Sequence, residues 1–334
     1  MSFSPDRWPT HWDAGHNWAL VLAAGEGTRL QALTTTASGV AVPKQFCSLG
    51  GGSSLLHDAL QRARAVAPPE RICAVVAEQH HRWWQTLSSS IPTQNIVVQP
   101  RNRGTANGIL LPLLQILHRD ADASLLVLPS DHYVRNETML AESLQQAVAQ
   151  IDCRHDRIIL LGLTPEEADC ELGYVVPAVG SGPGARDVSQ FIEKPSVAAA
   201  RALIARGGLW NSFIFATRGQ TLLRAFEARC PQIVSDMRRI VASSNDETGC
   251  SGDLAALYEQ LPSMDFSRDI VERCPLPLQV LTVPTCGWSD LGTPRRLAET
   301  IDRNRPLLRE RVSGMPYAQG FLDLAARPLQ PQAT

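Results

Sequence analysis

Two hydrophobic periods share the chain. WALVLAAG, RICAVVAE, NIVVQP, ASLLVLPSD and DRIILLGL are short apolar runs closed by small or polar residues, the pattern of strands buried on both faces. In SLLHDALQRARAVA and ETMLAESLQQAVAQI the apolar residues instead recur three and four apart, which predicts amphipathic helices. Alternation of the two predicts an α/β fold with a mostly parallel sheet and helices on both faces.

Residues 173 to 195 break the pattern. GYVVPAV, a glycine-rich GSGPG and VSQFIEKP predict a small antiparallel hairpin inserted beside the parallel sheet. A helical stretch at 196 to 206 follows, then LWNSFIFAT, a helical region with a loop near SSNDETGCSG, and LQVLTVPTCGWSDLG. The reading is one domain over 17–300, with an N-terminal extension at 1–16 and a surface tail at 301–334.

Composition narrows the function classes. The chain has 334 residues, 44% hydrophobic and 19% charged, and no stretch approaches the ~18 apolar residues of a membrane span, so a soluble protein without a membrane partner is expected. A net charge of -2 without long blocks of one sign argues against nucleic acid as a partner. The N-terminus lacks the basic-then-apolar pattern of a secretory signal, which predicts a cytoplasmic protein. Eight cysteines stand singly with no C-x-x-C pair, so reduced thiols are expected in place of a zinc site.

In an open parallel sheet, ligands sit beyond the carboxyl ends of the strands. The first such end, AAGEGTR, offers Gly25 and Gly27 for a tight turn with amide N–H groups, and Arg29 and Lys44 add charge suited to a polyphosphate. No G-x-x-x-x-G-K-[ST] is present, and Leu30 replaces the third glycine of a dinucleotide G-x-G-x-x-G. A plain strand-to-helix turn remains the alternative. At LLVLPSDHYV a strand delivers Ser130 and Asp131, and Asp290 closes another strand-like run, so two carboxylates could converge on one Mg²⁺. Asp131 could equally cap a helix. The D-x-D at Asp120 and Asp122, a sign of metal-dependent glycosyltransferases, precedes its strand and reads as solvated loop.

LAAGEGTRL, PKQF, VVQPRNRGTA, LPSDH, GYVVP, FIEKP, WNSFIF, DFSRDIVER and GWSDLG, in this order, resemble the sugar-phosphate nucleotidyltransferases, within them the mannose-1-phosphate guanylyltransferases. The resemblance covers roughly residues 17 to 295. It implies a Rossmann-like sheet with a small antiparallel insertion, Mg²⁺ as cofactor, and GTP and a sugar 1-phosphate, preferably mannose 1-phosphate, as partners. Gly25, Gly27 and Thr28 would line the triphosphate, Ala24 and Ser130 would also bind the nucleotide, Arg29 and Lys44 would act catalytically, and Gln99, Gly104 and Thr105 would border base and ribose. Asp131 and Asp290 would hold the metal, while Gly173, Glu193, Lys194 and Asn211 would shape the sugar-phosphate pocket. Gly173 and Asn211 could equally be turn residues.

The chain departs from the family pattern in three places. AAGEGTRL stands where GGxGTRL is usual, the path from Arg29 to Lys44 is a few residues longer, and Phe213 replaces the glycine of WNSGxF. The residues after GWSDLG are too few for the cupin isomerase or β-helix domain of longer relatives. A thymidylyl- or uridylyltransferase acting on glucose 1-phosphate, and a catalytically silent nucleotide-binding module, stay as alternatives. The choice between monomer and homodimer is open.

Overall fold

The computed structural model describes residues 14–309 apart from 37, 50–52, 154–155, 181–183, 244–251 and 274–275. Most of the N-terminal extension, part of the SSNDETGCSG loop and residues 310–334 lie outside the described residues. Nine strands form one sheet: β1 (Asn17–Ala23), β2 (Ile72–Ala77), β3 (Ile96–Gln99), β4 (Ser124–Pro129), β5 (Ile158–Leu163), β6 (Tyr174–Pro177), β7 (Arg186–Ile192), β8 (Leu209–Arg218) and β9 (Leu278–Val283). Helices longer than two turns are α1 (Leu55–Ala63), α2 (Gly104–Arg119), α3 (Glu137–Cys153), α4 (Val197–Ala205), α5 (Gly219–Arg229), α6 (Pro231–Ser243), α7 (Gly252–Gln260) and α8 (Pro294–Arg309).

The uniformly apolar strands have a simple cause. Successive residues of a strand point to opposite faces, and both faces of this sheet are covered. Ala19, Val21 and Ala23 of β1 pack with Leu56 and Leu60 of α1 and Leu144 and Val148 of α3. Trp18 and Leu20 pack on the other face with Ile109 and Leu113 of α2 and Leu222 and Phe226 of α5. The five runs expected as strands are β1 to β5, and the two helical segments are α1 and α3.

The sheet runs β3-β2-β1-β4-β8-β5-β9-β7-β6. β3, β2, β1 and β4 are parallel neighbours, as expected. The rest corrects the expectation of a mostly parallel sheet. β8 lies antiparallel between β4 and β5, β5 pairs parallel with β9, and β6 and β7 form an antiparallel hairpin. That hairpin is part of the sheet: β7 pairs with β9, and β6 pairs with the first two residues of β8. The pairings β8-β5-β9-β7-β6 therefore close on themselves, and the fold is a mixed α/β one. Strand direction is invisible to hydrophobic period, because a doubly buried strand is apolar whichever way its neighbour runs.

At the amino ends of β1 and β4, Asp120 accepts from Trp18 Nε1 (2.8 Å) and contacts His16 Nδ1 (2.7 Å). The D-x-D aspartate thus anchors the opposite end of the sheet from the strand tips that carry the site. The boundary expected at residue 300 falls inside α8, whose Ile301 and Asn304 are buried. No helix among the described residues is long and apolar enough to cross a membrane.

Candidate active site

The carboxyl end of β1 turns through Ala24–Gly27 into a short helical turn, Thr28–Leu30. Gly27 is left-handed (φ 63°), and a Cβ there would lie 3.0 Å from the main-chain nitrogen of Lys44 and 3.1 Å from its Cβ, so glycine is required for both reasons. The turn Lys44–Phe46 packs directly against this loop. Gln45 donates through Nε2 to the carbonyls of Ala23 (2.9 Å) and Gly25 (2.8 Å), pinning the loop from below. PKQF carried this information, but the reading from sequence assigned Gln45 no role.

Lys44 is only 5% exposed. Its ammonium pairs with Asp131 Oδ2 at 3.0 Å and donates to the main-chain carbonyl of Asp290. One cation thus joins the tips of β1, β4 and β9. Burial acts to raise the Asp131 carboxyl, but the charge and hydrogen bond of Lys44 outweigh it and hold it below the ordinary value. His132 is pushed down to about 4, chiefly by burial. Trp288 Nε1 donates to His132 Nδ1 at 3.2 Å, so the proton of the neutral ring sits on Nε2, toward Asp131 Oδ1 at 3.7 Å.

Beside these groups opens a cavity of about 550 Å³. Ala24, Gly25, Gly27, Arg29, Gln99, Gly104, Thr105, Ser130, Asp131, Glu193 and Lys194 all line it. Thr28 does not: it faces a smaller cavity with His80 and Trp83. Lys44, Gly173, Asn211 and Asp290 are also outside its lining. Several lining residues have structural work too. Ser130 donates to the Leu22 carbonyl (2.6 Å), Thr105 Oγ1 accepts from Phe266 N (2.8 Å), and Gln99 donates to Tyr258 (3.1 Å). Gly104 (φ 83°) lies against the Met264 carbonyl, where any side chain would collide.

The far wall comes from the closed part of the sheet. Asn211 N donates to the Gly173 carbonyl (2.8 Å), and a Cβ on Gly173 would sit 2.5 Å from Glu193 Oε2, so these three residues form one cluster. Burial, then Asp265, pushes the Glu193 carboxyl up to about 7 against the pull of Lys194. Phe213, whose amide donates to Asn211 Oδ1 (3.2 Å), has φ 60°, the region that favours glycine. A side chain there costs roughly 1–2 kcal/mol. Its ring lines the cavity and meets Phe266 edge-on at 5.9 Å.

The sequence points to Asp290 as a metal ligand. Its carboxylate is turned to Arg296, with Oδ2 3.0 Å from Nη2 and Oδ1 2.8 Å from Nε, and it lines a different cavity with Trp210 and Arg296. Arg296 also pairs with Asp169, and Arg29 pairs with Glu171 at 2.9 Å. Asp169, Glu171 and Arg296 were not anticipated. The Arg296–Asp169 and Arg29–Glu171 pairs span 127 and 142 residues, and no local spacing encodes such a pair. Among the described residues no group of three or more His, Cys, Asp or Glu could hold a metal ion. Mg²⁺ nevertheless needs only one or two protein carboxylates, its other ligands being water and phosphate oxygens. Asp131, at the cavity edge with its side chain 38% exposed, fits that requirement.

Known proteins resemble the chain over most of its length. Xanthan biosynthesis protein XanB of Xanthomonas campestris pv. campestris is 28% identical over 85% of this chain and 59% of its own length. A mannose-1-phosphate guanylyltransferase of Salmonella muenchen is 27% identical over 82% of this chain and 57% of its own. The chain therefore spans less than two thirds of these relatives. A solved structure described as a mannose-1-phosphate geranyltransferase from Thermus thermophilus superposes with a TM-score of 0.73 at 28% identity, over 86% of this chain and 79% of that one. The profile of the nucleotidyl transferases matches residues 18–304, from β1 to α8, and the chain belongs to that family.

Proposed function

We propose that the protein transfers guanylyl from GTP to mannose 1-phosphate, giving GDP-mannose and pyrophosphate. The observation that carries this reading is the joining of three strand tips by Lys44, beside a cavity with a glycine loop on one wall and Glu193 and Lys194 on the other. The names of the relatives favour GTP and mannose 1-phosphate over other pairs. On this reading the parallel part of the sheet is the Rossmann-like nucleotide half, the β6–β7 hairpin is the insertion, and the enzyme works in the cytoplasm.

A phosphate oxygen of the sugar phosphate attacks the α-phosphorus in line, the bond to the β-phosphate oxygen breaks, and pyrophosphate leaves. No side-chain nucleophile is needed, so positioning and charge carry the catalysis. Ala24, Gly25 and Gly27 cradle the phosphates, with Thr28 and Ser130 shaping the loop around them. Gln99, Gly104 and Thr105 border the nucleoside. Lys44 and Arg29 offset the charge that accumulates as nucleophile and triphosphate approach. Mg²⁺ held by Asp131 would supply further charge there. Asp290 contributes through its carbonyl, which fixes Lys44. Gly173 and Asn211 seat Glu193, which accepts from sugar hydroxyls, and Lys194 pairs the sugar's phosphate.

Pyrophosphate release should be measured with GTP, ATP, UTP and dTTP crossed with mannose and glucose 1-phosphates. GTP with mannose 1-phosphate is expected to exceed every other pair by at least about tenfold in kcat/KM, a margin of ~1.4 kcal/mol. A preference for dTTP or UTP with glucose 1-phosphate would replace the assignment.

A further inference from the structure

Arg296 stands in the first turn of α8, outside every motif that carries the resemblance, yet it is 8% exposed and meets two carboxylates that are buried as well, Asp169 and Asp290. A buried arginine with two acids is costly to desolvate, and replacing such a group by apolar residues is often neutral or stabilising. Stability alone therefore does not account for it. Its two contacts lead in different directions. Through Asp290 it reaches Lys44, because the residue whose carboxylate accepts from Arg296 Nη2, with Nε also 2.8 Å from Oδ1, is the residue whose carbonyl receives the Lys44 ammonium. Through Asp169 it reaches Arg29: Asp169 Oδ1 accepts from Glu171 N (2.8 Å), and the Glu171 carboxylate pairs with Arg29 (2.9 Å).

The backbone around Asp290 is shaped to let this grip form. Leu291 is held at φ 49°, and a Cβ on Gly292 would collide with the Asp290 carboxylate and lie 2.7 Å from Arg296 Nη2. The helix that carries Arg296 is started by Thr293, whose hydroxyl accepts from Arg296 N at 3.2 Å. Asp169 is fixed as firmly, its own amide donating to the Tyr174 hydroxyl at 2.9 Å.

We propose that Arg296 is a positioning residue that sets two cations of the site, the buried Lys44 through Asp290 and the cavity-lining Arg29 through Asp169 and Glu171. This rests on the reading of Lys44 and Arg29 as groups that act on the phosphates. Arg296 touches neither substrate; it fixes the angle from which the two cations meet them. A guanidinium suits the task because its planar fork can grip one carboxylate from two nitrogens and still reach a second.

The test is a double-mutant cycle with Arg296→Lys, which keeps the charge and the fold but cannot hold both acids in the same fork. In the wild-type background it is expected to lower kcat about tenfold, with KM for either substrate changed less than about threefold and the thermal midpoint nearly kept. In the Lys44→Met background the same substitution should lower kcat by only about threefold, because the route through Asp290 no longer has a cation to position and only the route to Arg29 remains. Equal losses in both backgrounds, or no loss in the wild type, would overturn the proposal. A different preferred substrate pair would sink the substrate assignment while the cycle is run on that pair. If no pair is turned over, acetylation of the Lys44 amine by acetic anhydride, followed by mass spectrometry, decides: labelling about fivefold faster in Arg296→Lys supports the linkage, and equal rates refute it.

Discussion

The parallel half of the sheet and the closed half both turn the chain sharply beside the cavity, but with different residues. On the nucleotide side the left-handed positions at the wall are glycines, Gly27 and Gly104, each also pressed against another segment's backbone. On the other side, Lys194 and Phe213, which line the cavity, adopt positive φ with full side chains, and so does the buried Leu291 away from it; these are the non-glycine residues that do so among those described. A triphosphate needs close approach of bare backbone, which glycine permits. On the other wall the strained backbone carries the side chains of Lys194 and Phe213 into the cavity.

The largest effects should come from the buried charge at the junction of the two halves. Lys44→Met is expected to lower kcat by roughly 10²–10³-fold with a much smaller change in KM for GTP, as for loss of a group that stabilises the transition state. Steady-state kinetics check it, and a change confined to KM would mean that Lys44 acts on the ground state alone.

Glu193→Gln separates the halves. It should weaken use of the sugar phosphate by about 1.5–3 kcal/mol in kcat/KM and leave KM for GTP nearly unchanged. The acid also brings a pH dependence of defined sign. Because burial raises it to about 7, it is ionised above that value and neutral below, so KM for the sugar phosphate should rise as pH falls through about 7, and this limb should vanish in Glu193→Gln. For stability the direction reverses. A carboxyl raised from 4.5 to about 7 by folding contributes fully below 4.5, and that contribution is lost as pH rises toward 7. Equal weakening of both substrates would assign Glu193 to the wrong half.

Phe213 gives a smaller effect with an unusual order. Alanine would lose the ring's contact with Phe266 and keep the strained φ, whereas glycine would lose the contact and relieve the strain. Phe213→Ala should therefore be less stable than Phe213→Gly by roughly 1 kcal/mol, the reverse of the order in ordinary strands and helices. Thermal melts of the two variants decide it. The smallest effect concerns the Arg29–Glu171 pair, whose side chains are 56% and 46% exposed. Glu171→Gln should change unfolding free energy by less than about 0.5 kcal/mol in denaturant titration, and a larger loss would show that this contact holds the two halves together.

From the sequence alone the strands β1 to β5, the helices α1 and α3, and about half of the cavity lining were legible, because each depends on local period or on a short motif at a strand end. Gly27 illustrates this: a glycine after an apolar run predicts a tight turn whatever lies beyond it. What only the tertiary structure decided is where distant segments meet. Lys44 and Asp290 are 246 residues apart, and Arg296 and Asp169 are 127 apart. Whether the Asp290 carboxylate faces the cavity or an arginine depends on the packing of α8 against the β9 tip, and the direction of β8 depends on which neighbours it finds. Local period carries information about burial, since burial acts residue by residue. It carries none about pairing, since pairing is a property of two segments at once.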